Sequence, residues 1–259
     1  MTVTAVLEAK GVSIRFGGLT AVSDFNLAIQ PTELVGLIGP NGAGKTTVFN
    51  MLTGVYKPTD GEIHVSGVNT RTLKAFDITK LGAARTFQNI RVFKSLSLLD
   101  NVKIGGHIHY KYSWADSVLH SVTFREHERQ AEKEALELLA MFDLDHRAND
   151  EAKSLPYGDQ RRLEIARALA AKPKLLLLDE PAAGLNTGET MELMQQIHAI
   201  RDKFGIAVLL IEHNMELVMG ICERILVLNY GRTIAHGRPE EIQRNPVVIE
   251  AYLGEAGEV

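Results

Sequence analysis

Cysteine is nearly absent from this sequence. Cys222 stands alone among 259 residues, so no intrachain disulfide can form, which suits a reducing compartment. Long apolar runs are lacking too. The longest, Ile206–Ile211, falls far short of the roughly 18 residues of a membrane span. Residues Met1–Lys10 carry neither the basic start nor the apolar core of a secretory signal. There is no surplus of positive charge. Lys and Arg number 28 against 32 Asp and Glu, a net charge of −4, which argues against nucleic-acid binding through a basic face. No internal repeat or low-complexity tract is visible. These absences exclude secreted, fibrous, disordered and membrane-spanning classes. What they leave is a soluble cytosolic globular protein of one domain, or one core with a subdomain. It is long enough to bury a core without disulfides or metals.

Two kinds of strand are legible. Val12, Ile14 and Phe16 alternate with polar residues, as do Phe25, Leu27 and Ile29, and Ile63 and Val65 between Gly61 and Gly67. Period-two alternation predicts half-buried, antiparallel strands. Leu34–Ile38, Leu175–Leu178, Ile206–Ile211 and Ile225–Leu228 are continuous apolar runs, which predict parallel strands buried on both faces. Helical stripes lie between them. One is Ala131, Ala135, Leu138, Leu139 and Phe142; another is Leu193, Met194, Ile197, Ile200 and Phe204. Arg161–Ala171 reads as a helix stopped before Pro173. From Asn89 to Ser154 the pattern is helical with no clear buried strand, so an α-helical insertion splits an α/β core.

Gly39-Pro40-Asn41-Gly42-Ala43-Gly44-Lys45-Thr46 matches G-x-x-x-x-G-K-[ST]. It follows the strand Leu34–Ile38 and precedes an apolar helix, the context that identifies a phosphate-binding loop. Its glycines let main-chain N–H groups curl round a phosphate, and the helix N-terminus adds partial positive charge. Lys45 is expected on the β- and γ-phosphates and the Thr46 hydroxyl on Mg²⁺. A second site strand, Leu175–Leu178, ends in Asp179 and Glu180. Ligands of parallel sheets lie beyond the strands' C-terminal ends, where these carboxylates fall. Asp179 is expected in the Mg²⁺ shell and Glu180 as the general base that polarises an attacking water.

A phosphate loop alone fits kinases, GTPases, helicases and transport ATPases. The chain has no Asn-Lys-x-Asp, which argues against a guanine-specific GTPase. The remaining motifs resemble the ATP-binding-cassette (ABC) family over nearly the whole chain, from Leu7 to about Gly237. Gln88, in Thr86-Phe87-Gln88-Asn89, is similar to that family's Q-loop glutamine. Leu155-Pro156-Tyr157-Gly158-Asp159-Gln160 resembles its signature Leu-Ser-Gly-Gly-Gln, and Ala183-Gly184-Leu185-Asn186 its D-loop. His213 matches the switch histidine and Phe16 the aromatic that stacks on adenine. Each of these residues alone has an ordinary structural reading; their common order and spacing carry the resemblance.

The resemblance implies a single ABC ATPase domain over 1–259. Its α/β core is a mixed, mainly parallel sheet flanked by helices, with an N-terminal antiparallel β subdomain, over 1–88 and 163–259. A helical signature subdomain covers 89–162. It further implies catalytic Glu180, His213 and Gln88, and ATP bound by Phe16 and by Gly39, Asn41, Gly42, Ala43, Gly44, Lys45, Thr46 and Thr47. Mg²⁺ is held by Thr46, Gln88 and Asp179. The signature residues face the ATP of a second ATPase subunit, identical or paralogous, in a head-to-tail dimer. Transmembrane permease chains and a solute-binding protein complete the machine at the cytoplasmic face of the inner membrane, with no nucleic acid involved.

Four positions depart from the family pattern: Pro156 for serine, Tyr157 for glycine, Asp159 for glutamine and Asn186 for the D-loop aspartate. They bear on the site this signature completes rather than on the site built on Lys45 and Glu180. Phe16–Val22, Pro181–Asn186, the extra length at Gly105–Phe124 and the stretch from Asn245-Pro246 to Ala251-Tyr252-Leu253-Gly254 resemble the ATPases of branched-chain amino acid importers. Urea importers and lipopolysaccharide exporters have similar ATPases. Two further classes compete: a soluble ABC ATPase acting on ribosomes or DNA, and a small-molecule kinase. The stretch His107, His109, Tyr110, Tyr112, Trp114, His120 is read as packed surface rather than a metal site.

Overall fold

The computed structural model describes residues 4–110 and 122–253. The chain divides into two compact units, with boundaries after Arg85 and after Pro173.

The first unit holds both sheets. β1 (Leu7–Phe16), β2 (Leu19–Ile29), β4 (Asp60–Val65) and β5 (Val68–Asn69) form an antiparallel sheet in the order β2-β1-β4-β5. In β1 the buried positions switch from Leu7 and Ala9 to Val12 and Ile14. A bulge at Gly11, with φ 58°, inserts the residue that changes the parity. The alternation therefore reads cleanly only from Val12 onward. The second sheet takes β3 (Leu34–Ile38), β6 (Ala83–Arg85), β7 (Leu175–Asp179), β8 (Ala207–Ile211), β9 (Arg224–Asn229) and β10 (Arg232–Gly237). Its order is β10-β9-β3-β8-β7-β6. β6, β7, β8, β3 and β9 run parallel and β10 closes the edge antiparallel to β9. Every residue of β3, β7 and β8 is buried, as their unbroken apolar runs predict. β5, β6 and β10 escape the sequence pattern. The first two span two and three residues, and β10 buries only one position.

Around the sheets lie α1 (Lys45–Leu52), α2 (Ala75–Lys80), α6 (Thr187–Phe204), α7 (Met215–Ile221), α8 (Pro239–Gln243) and α9 (Pro246–Leu253). One core joins Val35 and Leu37 of β3, Val48 and Phe49 of α1, and Leu7, Phe25 and Ile29 of the antiparallel sheet.

The second unit is helical: α3 (Leu98–Gly106), α4 (Val122–Ala140) and α5 (Tyr157–Ala170). α3 and α5 approach so closely that a Cβ on Gly105 would run into the Arg167 carbonyl. α5 starts at Tyr157, four residues before the apolar pattern at Arg161 shows it, because its first turn, Tyr157–Gln160, buries no residue. It lies whole within this unit, whereas a boundary at 162/163 passes through it. The Gly105–Phe124 elaboration is tied down where described. His109 Nε2 meets the Ala171 carbonyl at 2.8 Å, and the Tyr110 hydroxyl donates to Glu134 at 3.0 Å. That bond, burial first among the causes, pushes the Tyr110 pKa up to about 12. Tyr112, Trp114 and His120 lie outside the described residues.

Candidate nucleotide-hydrolysis site

Three adjacent parallel strands deliver the site. β3 leads into the loop Gly39–Gly44, β8 into His213, and β7 ends in Asp179 and Glu180. Their register places Leu37, Ile211 and Asp179 in one row, so all three chains leave the sheet at the same edge.

The loop curls because its glycines permit it. Gly39 has φ 149°, where a Cβ would run into the Leu228 carbonyl, and Gly44 has φ 100°, where a Cβ would sit 2.9 Å from the Ala21 carbonyl. Asn41, Gly42 and Thr46 are exposed, Gly44 and Thr47 half-buried, and Ala43 and Lys45 buried. Lys45 opens α1. Its Nζ donates to the carbonyls of Gly39 at 2.6 Å and Pro40 at 2.8 Å, so its stem crosses beneath the loop. The first turn of α1 carries no acidic side chain and Gly44 gives it no side-chain cap, so the positive end of the helix dipole suits an anion. Phe16 ends β1, is 45% exposed, and pairs with the Tyr56 ring in a T-shaped contact at 5.3 Å.

Asp179 is 1% exposed. Its Oδ2 accepts from Arg85 Nη2 at 2.7 Å, and Arg85 Nη1 donates to Asn50 Oδ1 at 2.7 Å on α1. Arg85 thus joins the carboxylate to the helix that the phosphate loop begins. Glu180 turns the chain sharply at φ 48°, a left-handed conformation that costs a non-glycine residue about 1–3 kcal/mol. Its Oε1 lies 2.7 Å from His213 Nε2. The His213 ring is exposed and the Glu180 side chain largely covered. Thr46 and Asp179 supply only oxygen donors, the hard set that suits Mg²⁺.

Four residues with site contacts were missed from the sequence: Arg85, Glu212, Arg161 and Glu164. Glu212, 3% exposed, accepts from three main-chain N–H groups, those of Ala182, His213 and Asn214. Burial pushes its carboxyl up, opposed by those bonds. Its signal was available, for it follows a buried parallel strand as Glu180 does.

The second unit carries Gln88 and the signature. The Gln88 side chain is exposed, and its carbonyl accepts from Arg161 Nη2 at 2.7 Å, while the Phe87 carbonyl accepts from Nη1 at 2.6 Å. Arg161 is fully buried and pairs with Glu164 at 3.0 Å, and Glu164 accepts from the Arg91 N–H. In the signature, Leu155 is buried, Pro156 is the N-cap of α5, and Tyr157 is 49% exposed. Gly158 is half-buried, Gln160 donates to the Leu155 carbonyl at 2.9 Å, and Asp159 lies 3.5 Å from Arg162, a local cation that offsets its charge. Asn186, the D-loop departure, caps α6 by accepting from the Glu189 N–H at 2.9 Å. Of the expected site residues, then, those of the phosphate loop, Phe16, Asp179, Glu180 and His213 belong to one unit; Gln88 and the signature belong to the other.

The ABC transporter family model matches residues 22–183. The chain belongs to the ABC transporter family. It is accordingly a nucleotide-binding ATPase cassette. A second family model, described as branched-chain amino acid ATP-binding cassette transporter, matches residues 232–258. The high-affinity branched-chain amino acid transport ATP-binding protein LivG of Escherichia coli K12 is 47% identical over 97% of this chain and 98% of its own length. Its counterpart BraF of Pseudomonas aeruginosa has the same identity and coverage. The lipopolysaccharide export system ATP-binding protein LptB of Escherichia coli K12 is 36% identical over 97% of this chain and 98% of its own. Among solved structures, the ADP conformation of MJ1267, an ATP-binding cassette of an ABC transporter, superposes with a TM-score of 0.83 at 27% identity. The match covers 97% of this chain and 99% of that one. A post-hydrolysis cassette dimer of MJ0796 bound to ADP and phosphate is similar at a TM-score of 0.76 and 28% identity, covering 90% and 98%. Among the described residues of this ABC cassette, no helix is long and apolar enough to cross a membrane.

Proposed function

We propose that this ABC ATPase is the energy-coupling subunit of an importer of branched-chain amino acids, working at the cytoplasmic face of the inner membrane. The near-full-length identity with LivG and BraF supports the cargo. The observation that carries the chemistry is the 2.7 Å contact between Glu180 and His213 at the sheet edge where the phosphate loop also begins.

The adenine stacks on Phe16, and the triphosphate lies along Gly39, Asn41, Gly42, Ala43, Gly44 and the N–H groups of Thr46 and Thr47. Lys45 exchanges the Gly39 and Pro40 carbonyls for β- and γ-phosphate oxygens. Thr46 and Asp179 would hold Mg²⁺, which would neutralise phosphate charge there. Glu180 orients the attacking water and takes its proton as the water oxygen joins the γ-phosphorus and the β–γ bridge breaks. His213 donates to a γ-phosphate oxygen. A second ATPase subunit supplies the signature that completes this site, and Leu155–Gln160 completes the partner's. Permease chains transmit the motion, and a solute-binding protein delivers cargo to them.

Uptake of radiolabelled leucine, isoleucine and valine by cells carrying the chain or its Lys45→Ala variant tests this reading. Uptake lost with Lys45→Ala supports it. Uptake unchanged, with lipopolysaccharide or urea transport impaired instead, replaces the cargo.

A further inference from the structure

Glu212 has no part in the chemistry so far described, yet it is a buried carboxylate at this edge of the sheet. It stands immediately after β8 and is 3% exposed. Both of its oxygens are engaged, each by a different loop. Oε1 accepts the Ala182 N–H at 2.7 Å, from the turn that follows Glu180. Oε2 accepts the His213 N–H at 2.9 Å and the Asn214 N–H at 3.2 Å. All three described hydrogen bonds come from main-chain N–H groups. The Glu180 turn is held at its other end by its own N–H, which donates to the Ile211 carbonyl at 2.9 Å. The left-handed Glu180 is therefore bracketed by ties to Ile211 and Glu212, and the chain carrying His213 hangs from the same carboxylate.

We infer that Glu212 is a positioning residue for hydrolysis: its carboxylate bridges the two loops whose side chains meet at 2.7 Å and sets the placing of Glu180 and His213. This rests on the roles proposed above for those two residues. Burying a carboxylate is costly, and burial together with the nearby Glu180 charge pushes this one up. An apolar residue would fill the space without that cost, but could not bridge two loops. A carboxylate offers two accepting oxygens; an amide offers one and turns an NH₂ toward the other donor. Glu212→Gln therefore keeps the shape and releases one loop. A base displaced by even 1 Å loses up to about 100-fold in rate.

The test uses the full-length chain in its assembled transporter. ATPase kcat and KM and nucleotide affinity by calorimetry are measured for Glu212→Gln in the wild-type and the Glu180→Gln backgrounds. The expected result is a kcat lowered by about 10- to 100-fold with affinity nearly unchanged. In the Glu180→Gln background the further loss should be under about threefold, since the base that Glu212 positions is already gone. Should Glu212→Gln not fold, Glu212→Asp, charged but one methylene too short to span both loops, gives the same cycle. An unchanged kcat overturns the inference. So does an equal fall in both backgrounds, or a parallel loss of affinity, which mark a general structural part. Wild-type rates for Glu180→Gln and His213→Ala sink the proposed hydrolytic pair itself. Slow rates for those two beside a normal rate for Glu212→Gln sink only the inference drawn here.

Discussion

In the proposed site, single side chains should decide binding and chemistry separately. Lys45 is a buried cation whose described partners are two main-chain carbonyls of its own loop, an arrangement that an anion's charge readily displaces. Lys45→Ala should lose most ATP affinity; equal calorimetric affinity in variant and wild type would remove the phosphate-loop assignment. Glu180→Gln should keep ATP binding and slow hydrolysis by about 10²–10⁴-fold, the range of a positioned general base. His213→Ala should slow turnover in the same direction. Single-turnover ATPase assays check both. Cys222 offers a pH test outside the site. Burial, then the Glu223 charge, pushes its thiol well above its ordinary value. The folded state therefore holds a proton that the unfolded chain releases above about pH 8.5. That contribution to stability is complete below the unfolded value and is lost as pH rises toward the folded one. Urea denaturation from pH 7 to 10 should show a steeper decline for wild type than for Cys222→Ala, and the native thiol should resist Ellman's reagent at pH 8.

Elements set what the residues can do. α5 carries the signature at its start and the Arg161–Glu164 pair one turn on, both fully enclosed. Arg161 also donates from Nη1 to the Phe87 carbonyl and from Nη2 to the Gln88 carbonyl, so one helix fixes the main chain on which Gln88 rides. Removing one member of a buried pair strands the other. Arg161→Leu should destabilise the protein by about 3–5 kcal/mol, and Arg161→Leu with Glu164→Met should recover part of that loss. Denaturant titration followed by far-UV circular dichroism measures both. A single variant as stable as wild type would mean that water reaches Glu164.

At the scale of the whole molecule the question is symmetry. Pro156 brings no hydroxyl to the signature, and Asp159 adds a carboxylate that Arg162 only partly offsets at 3.5 Å. If, in the proposed dimer, the partner ATPase has an ordinary signature, the two ATP sites are unequal. The site made by this chain's Lys45 and Glu180 is then the stronger. Each lost neutral hydrogen bond is worth about 0.5–1.5 kcal/mol. Pro156→Ser with Asp159→Gln should therefore raise turnover of the reconstituted complex by a few-fold at saturating ATP. No change, or a fall, would show these residues to be accommodated within the complex.

Local rules made part of this protein legible without coordinates. The phosphate loop is one run of eight residues whose glycine spacing is dictated by main-chain geometry, and Asp179 and Glu180 follow an apolar strand directly. The continuous runs of β3, β7 and β8 announced buried parallel strands, and the alternation from Val12 announced an antiparallel one. Tertiary structure decided the remainder, because each deciding contact joins residues far apart in the chain. Arg85 reaches Asp179 across 94 positions, Arg161 reaches the Phe87 carbonyl across 74, and Glu212 reaches Ala182 across 30. Nothing in the neighbourhood of Arg85 or Arg161 tells a solvated charge from a buried one. Only the folded sheet brings three strand ends to one edge, where Arg85 and Glu212 acquire their partners, and only the folded helical unit gives Arg161 its own.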